Sequence, residues 1–301
     1  MFYYIKILIL IQLYAQGSNS LFKNSNLWYI VGMAITTLVA GKDMPACTKF
    51  ADGLVQRGRY VVVSGPESTD DEDTNAEDAK SDRQQKLMGK ASGVATVEWN
   101  KNSPISSRTF LLSAETIFES LDEVVMYFDE ELFASRADQV DIEECARGCD
   151  EMVLSYQYLT LEVLRRFEHR HNADEPGKLI YLIKEGPSAA DAVRAPSLRN
   201  GAYSIASPVV AAASSAFIAF TENIVALYGD LPYVEFFLVR GDKTQDLVAN
   251  DTAFAKWLGG YIDDTAKLGE PSSAKKSLNW IKPGTKVQQG NTGGFSLFGK
   301  K

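Results

Sequence analysis

The residues of this sequence that could do chemistry fall into small groups. Tyr203 opens the apolar, small-residue stretch "AYSIASPVVAAASSAFIAFTENIVALYGD", and Ser207 stands four positions on. A phenol can relay a proton, but its ordinary pKa near 10 makes it a poor relay at neutral pH without a neighbouring cation. Ser207 carries no charge and cannot supply one. A second group is the turn Gly41-Lys42-Asp43-Met44-Pro45-Ala46-Cys47, between an apolar run and a helical pattern. Lys42 would attract an anion there. Asp43 would repel one, and Pro45 has no N–H to offer it. Cys145 and Cys149 stand one helical turn apart, but a structural zinc site needs four Cys or His ligands. The three cysteines of the chain read as free core thiols of a reducing compartment. His169 and His171 follow two arginines at the end of a helical pattern, where the helix dipole favours them, and no metal is expected.

The elements that must position these groups alternate between strand and helix. Apolar runs at Ile35–Ala40, "RYVVVSG", "GVATVEWN", "LDEVVMYFDE", "KLIYLIKE" and "PYVEFFLVRGD" read as strands buried on both faces. Helical patterns separate most of them. "SPISSRTFLLSAETIFES" has Ser103 as N-cap and Pro104 at the first position. Long helices are expected over 142–169 and 202–227, and a further one over "DDTAFAKWLGGYIDDTAKL", with Phe254, Leu258 and Ile262 on one side. The pattern predicts an α/β fold: a doubly wound, mostly parallel sheet with helices on both faces. Ligands of such sheets bind beyond the carboxyl ends of the strands.

The organisation read from composition is a single domain over 33–268. Residues 66–92 form an acidic insertion without aromatics, expected to be a solvated loop. Residues 269–301 are a basic, flexible tail ending in the apolar island "FSLF". Residues 1–32 differ in texture from the chain beyond Met33. They read as a misassigned start, an export segment or a true extension.

The order and spacing of elements from Met33 to Asp242 resemble the short-chain dehydrogenase/reductase superfamily. The likeness is carried by "RTFLLSAETIFESLDEVVMYF", by the stretch opening at Ala202 and by "PYVEFFLVRGD". The resemblance implies a Rossmann-like fold, an NAD(P) cofactor and a homodimer formed through the two long helices. It also implies site residues: Gly41 and Lys42 in the cofactor turn, Tyr203 as the catalytic phenol, and Ser188 as the hydroxyl that polarises a carbonyl. Ser207 takes the place of the usual lysine. The departures are concentrated in that site. Of the family's Gly-x-x-x-Gly-x-Gly turn only Gly41 is present, and Asn-Asn-Ala-Gly is replaced by Tyr127-Phe128-Asp129-Glu130. The strand end after it offers Lys184 and Glu185, and the end of the second strand reads Ser64-Gly65.

A net charge of −8 argues against a nucleic-acid binder, which needs a basic face. The expectation is a short-chain-dehydrogenase-like protein that has lost usual catalysis and binds no cofactor, acting as a binding or scaffold module in the cytoplasm. Its acidic loop or basic tail would meet a protein partner, and no membrane is involved. An NAD(P)-dependent oxidoreductase with a divergent site, or a nucleotide sensor without turnover, are the alternatives.

Overall fold

The computed structural model describes residues 35–65, 92–135, 140–200, 204–268 and 278–287. Residues 1–34, nearly all of the acidic insertion, Tyr203 and the "FSLF" island lie outside them. The chain divides after Ala34, and the fold described is that of the second unit.

Six strands form one sheet: β1 (Ile35–Ala40), β2 (Arg59–Gly65), β3 (Val94–Glu98), β4 (Glu123–Asp129), β5 (Gly177–Glu185) and β6 (Val234–Asp242). All are parallel, in the order β3-β2-β1-β4-β5-β6. This is the doubly wound Rossmann order, and the winding reverses between β1 and β4. The helices are α1 (Thr48–Val55), α2 (Pro104–Phe118), α3 (Glu130–Ala134), α4 (Ile142–Cys149), α5 (Ser155–Arg170), α6 (Ala189–Arg194), α7 (Pro208–Tyr228), α8 (Asp246–Ala249) and α9 (Asp251–Leu268). A wide π-type stretch, Asp150–Leu154, joins α4 to α5, so the long helix expected over 142–169 is not a uniform α-helix.

Strand alternation sends side chains to two cores. Leu38, Val124, Met126 and Phe128 face α2, α5 and α7 and pack with Phe110, Phe167 and Phe217. Val39, Val125 and Tyr127 face α1 and α9 and meet Phe50, Phe254 and Leu258. Each large apolar side chain so buried contributes about 1.5–3 kcal/mol. On α9, Phe254, Leu258 and Ile262 are buried together, as their spacing predicts. Cys47 is in the core, but Cys145 and Cys149 are exposed on α4, so they are not the core thiols expected.

α9 is tied to the sheet at both ends. Near its last turns Asp263 accepts from the buried Arg59 at 2.9 Å, and Arg59 also donates to Glu123 at 2.8 Å. Its first residue, Asp251, reaches the opposite edge of the sheet.

Part of the segment assigned to the tail is packed. Ile281 donates its N–H to Leu238 at 2.7 Å and accepts from Arg240 N–H at 3.1 Å, extending the sheet by one parallel bridge beside β6. Trp280 Nε1 donates to Glu222 at 2.7 Å. An aromatic anchor with a satisfied indole N–H outweighs the polar composition around it.

α7 begins at Pro208, not near 202 as expected. Ser207 is its N-cap, with Oγ accepting from Val210 N–H. Among the described residues α7 is the one helix whose length and hydropathy would suit a membrane span. Its inner face, including Val210, Ala213, Phe217 and Ile224, packs on the sheet.

Candidate functional site

The carboxyl ends of β1, β4 and β5 converge where the winding reverses, the place at which such sheets take ligands. There, Lys42 follows β1, Asp129 ends β4, Lys184 lies at the end of β5, and Asp251 comes in from the start of α9. These four side chains form one closed network. Lys42 Nζ is 2.7 Å from Asp129 Oδ2 and 2.6 Å from Asp251 Oδ2. Lys184 Nζ is 3.0 Å from Asp251 Oδ1 and 3.9 Å from Asp129 Oδ2. Two ammoniums and two carboxylates therefore balance. Their side chains are 4–13% exposed, with Asp251 the most open and Asp129 the least.

Local structure fixes most of these groups. The other oxygen of Asp129 accepts the N–H groups of Glu131 and Leu132, capping α3. Lys42 lies over the Tyr127 ring, 4.9 Å from its centroid. Burial pulls the Lys42 ammonium down, but the carboxylates of Asp129 and Asp251 more than offset this and hold its pKa above the ordinary lysine value. Burial likewise pushes Asp251 up, yet Lys42 and Lys184 together bring it below the usual carboxylate value. Both groups are held charged. Tyr127 is pushed well above the ordinary phenol range, first by burial and then by Asp129 and Asp251. Burial likewise pushes the Cys47 thiol up to about 12, so it is no nucleophile.

The turn after β1 is closed by a second set of contacts. Asp43 Oδ1 accepts from Ser64 Oγ at 2.6 Å, and Oδ2 pairs with Lys101 Nζ at 2.6 Å. Met44 N–H donates to Ser64 O at 2.9 Å, and Gly41 N–H reaches Ser64 Oγ at 3.4 Å. Cys47 N–H donates to Asp43 O at 3.1 Å. Gly41 has φ +102°, and a Cβ there would lie 2.1 Å from Tyr156 Oη. That hydroxyl donates to Tyr127 O at 2.7 Å. Gly41 is thus required by its positive φ and by the close approach of the chain's own Tyr156.

These residues do not fit a dinucleotide. Its diphosphate needs free backbone N–H groups and an uncommitted positive charge at the start of the first helix. Here the N–H groups of Gly41, Met44 and Cys47 are spent on Ser64 and Asp43, Pro45 has none, and Lys42 is neutralised by two carboxylates.

The remaining residues singled out in the sequence are separated from this centre by their own roles. Ser188 is the N-cap of α6, in a capping box: its Oγ donates to Asp191 at 2.6 Å and accepts from Asp191 N–H at 3.2 Å. Its hydroxyl is committed to Asp191 rather than held for a carbonyl. Ser207 caps α7, so the helical register that would set it one turn beyond Tyr203 is absent, and Ser204 and Ile205 are non-helical. His171 bridges the carbonyls of Leu121 and Glu175 at 2.9 and 3.1 Å. Among the described residues no cluster of His, Cys, Asp and Glu could hold a metal ion.

Sequence reasoning missed Asp251 altogether, and it missed Glu130 as a buried group. Glu130 Oε2 accepts Gly186 N–H at 2.8 Å, and Oε1 accepts from Ser214 Oγ on α7. Burial raises its pKa, and the two hydrogen bonds oppose the rise. Both carboxylate oxygens are satisfied, so Glu130 ties the start of α3 to the loop after β5 and to α7.

No protein-family model matches the chain, and no curated protein does. Solved structures similar to it include the NADH-dependent reductase A1-R′ of alginate metabolism. The identity is 14% and the TM-score 0.49, covering 85% of this chain and 96% of that one. A short-chain dehydrogenase/reductase from Serratia marcescens is also 14% identical, with a TM-score of 0.48, covering 75% of this chain and 90% of that one. A short chain dehydrogenase from Bacillus anthracis is 9% identical, with a TM-score of 0.43, covering 69% and 76%. These are the kind of protein that the sequence resembles. At such identity the likeness is one of fold, which here rests on the strand order itself.

Proposed function

We propose that this chain is a short-chain-dehydrogenase-like module that has lost dinucleotide chemistry and serves as a binding or scaffold protein. The single observation that carries the reading is the closed network Lys42–Asp129–Lys184–Asp251, which fills the carboxyl edge of the sheet at its reversal point. The capping roles of Ser188 and Ser207 support it, because they commit both hydroxyls to helix starts. The exposed, unpaired thiols of Cys145 and Cys149 suit a reducing, cytoplasmic setting. A homodimer through α5 and α7 belongs to the same reading. It is supported by the exposed apolar and small residues Leu161, Ala212, Ser215 and Ala219 on those helices.

The test is isothermal titration of the full chain with NAD(H) and NADP(H). No binding tighter than about millimolar is expected, an affinity worth only about 4 kcal/mol. A panel of ketones and alcohols should give no turnover. Micromolar binding, or turnover abolished by Tyr203→Phe, overturns the reading in favour of a divergent oxidoreductase.

A further inference from the structure

We infer that Cys145 and Cys149 form a redox-sensing dithiol, which a small disulfide oxidant closes into a reversible intrachain bridge. Both thiols are free and exposed, one helical turn apart on α4, whereas the third cysteine, Cys47, is sealed in the core. The buried face of α4 is formed by Glu144 and Gly148 alone. At 3.6 residues per turn the two thiols lie about 100° round the helix from that face.

In a regular α-helix, Cα atoms four residues apart are separated by about 6 Å, which a disulfide tolerates. Their Cβ atoms are about 5–6 Å apart, where the bridge needs roughly 3.5–4.5 Å. The turn therefore has to draw in by about 1–2 Å. The chain is prepared for this at the adjoining residue. The wide π-type stretch starts at Asp150, directly after Cys149. A turn widened toward five-residue bonding rises less per residue, so residues four apart come closer. The N–H of Asp150 is already shared between the carbonyls of Ala146 and Arg147, so the ladder changes pitch at the last turn of α4.

The buried face of α4 is also lightly held. Glu144 Oε1 is buried without a hydrogen-bond partner among the described residues, and Arg147 is 3.8 Å from it. Gly148 lies against α7, where a Cβ would stand 2.7 Å from Val209 Cγ1. Drawing in the turn from Cys145 to Cys149 moves Gly148, which lies between them, so the bridge is felt at the contact of α4 with α7.

The oxidant is a small disulfide such as glutathione disulfide. One protein thiolate attacks it, its S–S bond breaks, and one glutathione thiolate leaves. The second protein thiolate then attacks the protein sulfur of the mixed disulfide, forming the Cys145–Cys149 bond and expelling the second glutathione. Two electrons pass from the dithiol to the oxidant, and the two protons end on the two glutathione thiols. A bridge formed off its preferred geometry is easily reduced, which suits a transient bridge in a reducing compartment.

The full chain is equilibrated with glutathione disulfide, or with reduced glutathione in excess, and then alkylated with a maleimide before mass spectrometry. The reduced, folded chain should take two labels, with Cys47 protected by burial. After glutathione disulfide it should take none, weigh less by two hydrogens, and yield Cys145 and Cys149 in one cross-linked species after cleavage at Arg147. Excess reduced glutathione should restore both labels. Cys145→Ser and Cys149→Ser should each retain a glutathione adduct instead. Hydrogen exchange over α4 and the first turn of α7 should change at least about threefold on bridging, and not in Cys145→Ser. Two stable glutathione adducts per chain, a disulfide-linked dimer on a non-reducing gel, or a bridge that reduced glutathione does not reopen overturns the inference. Unchanged exchange in the bridged chain overturns the link to α7.

Discussion

Lys42 decides whether the carboxyl edge is a structural device or a ligand site awaiting its cofactor. Lys42→Met removes one ammonium and keeps most of the side-chain volume. At an effective dielectric near 20, each contact at about 2.7 Å is worth roughly 6 kcal/mol of gross attraction. Desolvation of the three groups takes most of that back. The remaining cost is set by what is left: Asp129 and Asp251 buried around Lys184 alone, one of them 3.9 Å away. Breaking a buried pair in this way typically costs about 3–5 kcal/mol. For a unit of this size that lowers Tm by roughly 6–20 °C. Differential scanning calorimetry measures it directly. The double variant Lys42→Met/Asp251→Asn removes one charge of each sign and restores balance. It should be less destabilised than the sum of the single variants by about 1–3 kcal/mol. A Tm loss below about 2 °C for Lys42→Met, or strict additivity in the double variant, would refute the network as a structural element.

The same network predicts an acid limb. The folded pKa of Asp251 is below its ordinary 3.8, so its stabilisation is present above that value and is lost as pH falls through the lower folded value. Glu130 has the opposite sign, costing stability as pH rises from 4.5 through its raised folded pKa. Subtracting the melts of Asp251→Asn from those of the unaltered chain isolates the first effect, which should shrink progressively as pH falls below 3.8. Ser188→Ala should cost about 1 kcal/mol in chemical denaturation, the worth of an N-cap, and change no activity; loss of a turnover with stability intact would make Ser188 catalytic. Ser215→Arg should convert the proposed dimer to a monomer in light scattering with circular dichroism unchanged, because Ser215 is exposed on α7. A monomer before substitution refutes the dimer.

The sheet was legible because each of its strands is an apolar run bounded by turn residues, and parallel strands buried on both faces leave that signature. Helix starts were legible where the cap was read on its own terms. Ser103-Pro104 places α2 correctly, with Ser103 Oγ accepting from Ser106 N–H. Ser207-Pro208 is the same signal, and the residue before a proline is biased away from helix. The family likeness overrode it and moved the start of α7 about six residues too early. The packed Trp280 and Ile281 were hidden by the polar residues around them. Two anchors in a basic, glycine-rich stretch have no periodicity to show.

The ion network was harder to see because its members are ordinary residues far apart in sequence; Lys42 and Asp251 are separated by 209 positions. Pairwise spacing carries no signal at that distance. The strand order does. Once β1, β4 and β5 are neighbours, their carboxyl ends place Lys42, Asp129 and Lys184 side by side with alternating sign, and the register pairs Asp129 with Lys184. Such a row leaves an excess of one positive charge in a buried place. Burying that excess is costly enough that a counter-anion has to come from somewhere. A dinucleotide phosphate is one source, and a carboxylate from the chain itself is another. The sequence names the row but not the source, because the compensating group belongs to α9, whose docking is decided by Phe254, Leu258 and Ile262 and not by its charge. Asp251 is therefore the residue that supplies the counter-charge to Lys42 and Lys184 at this edge of the sheet.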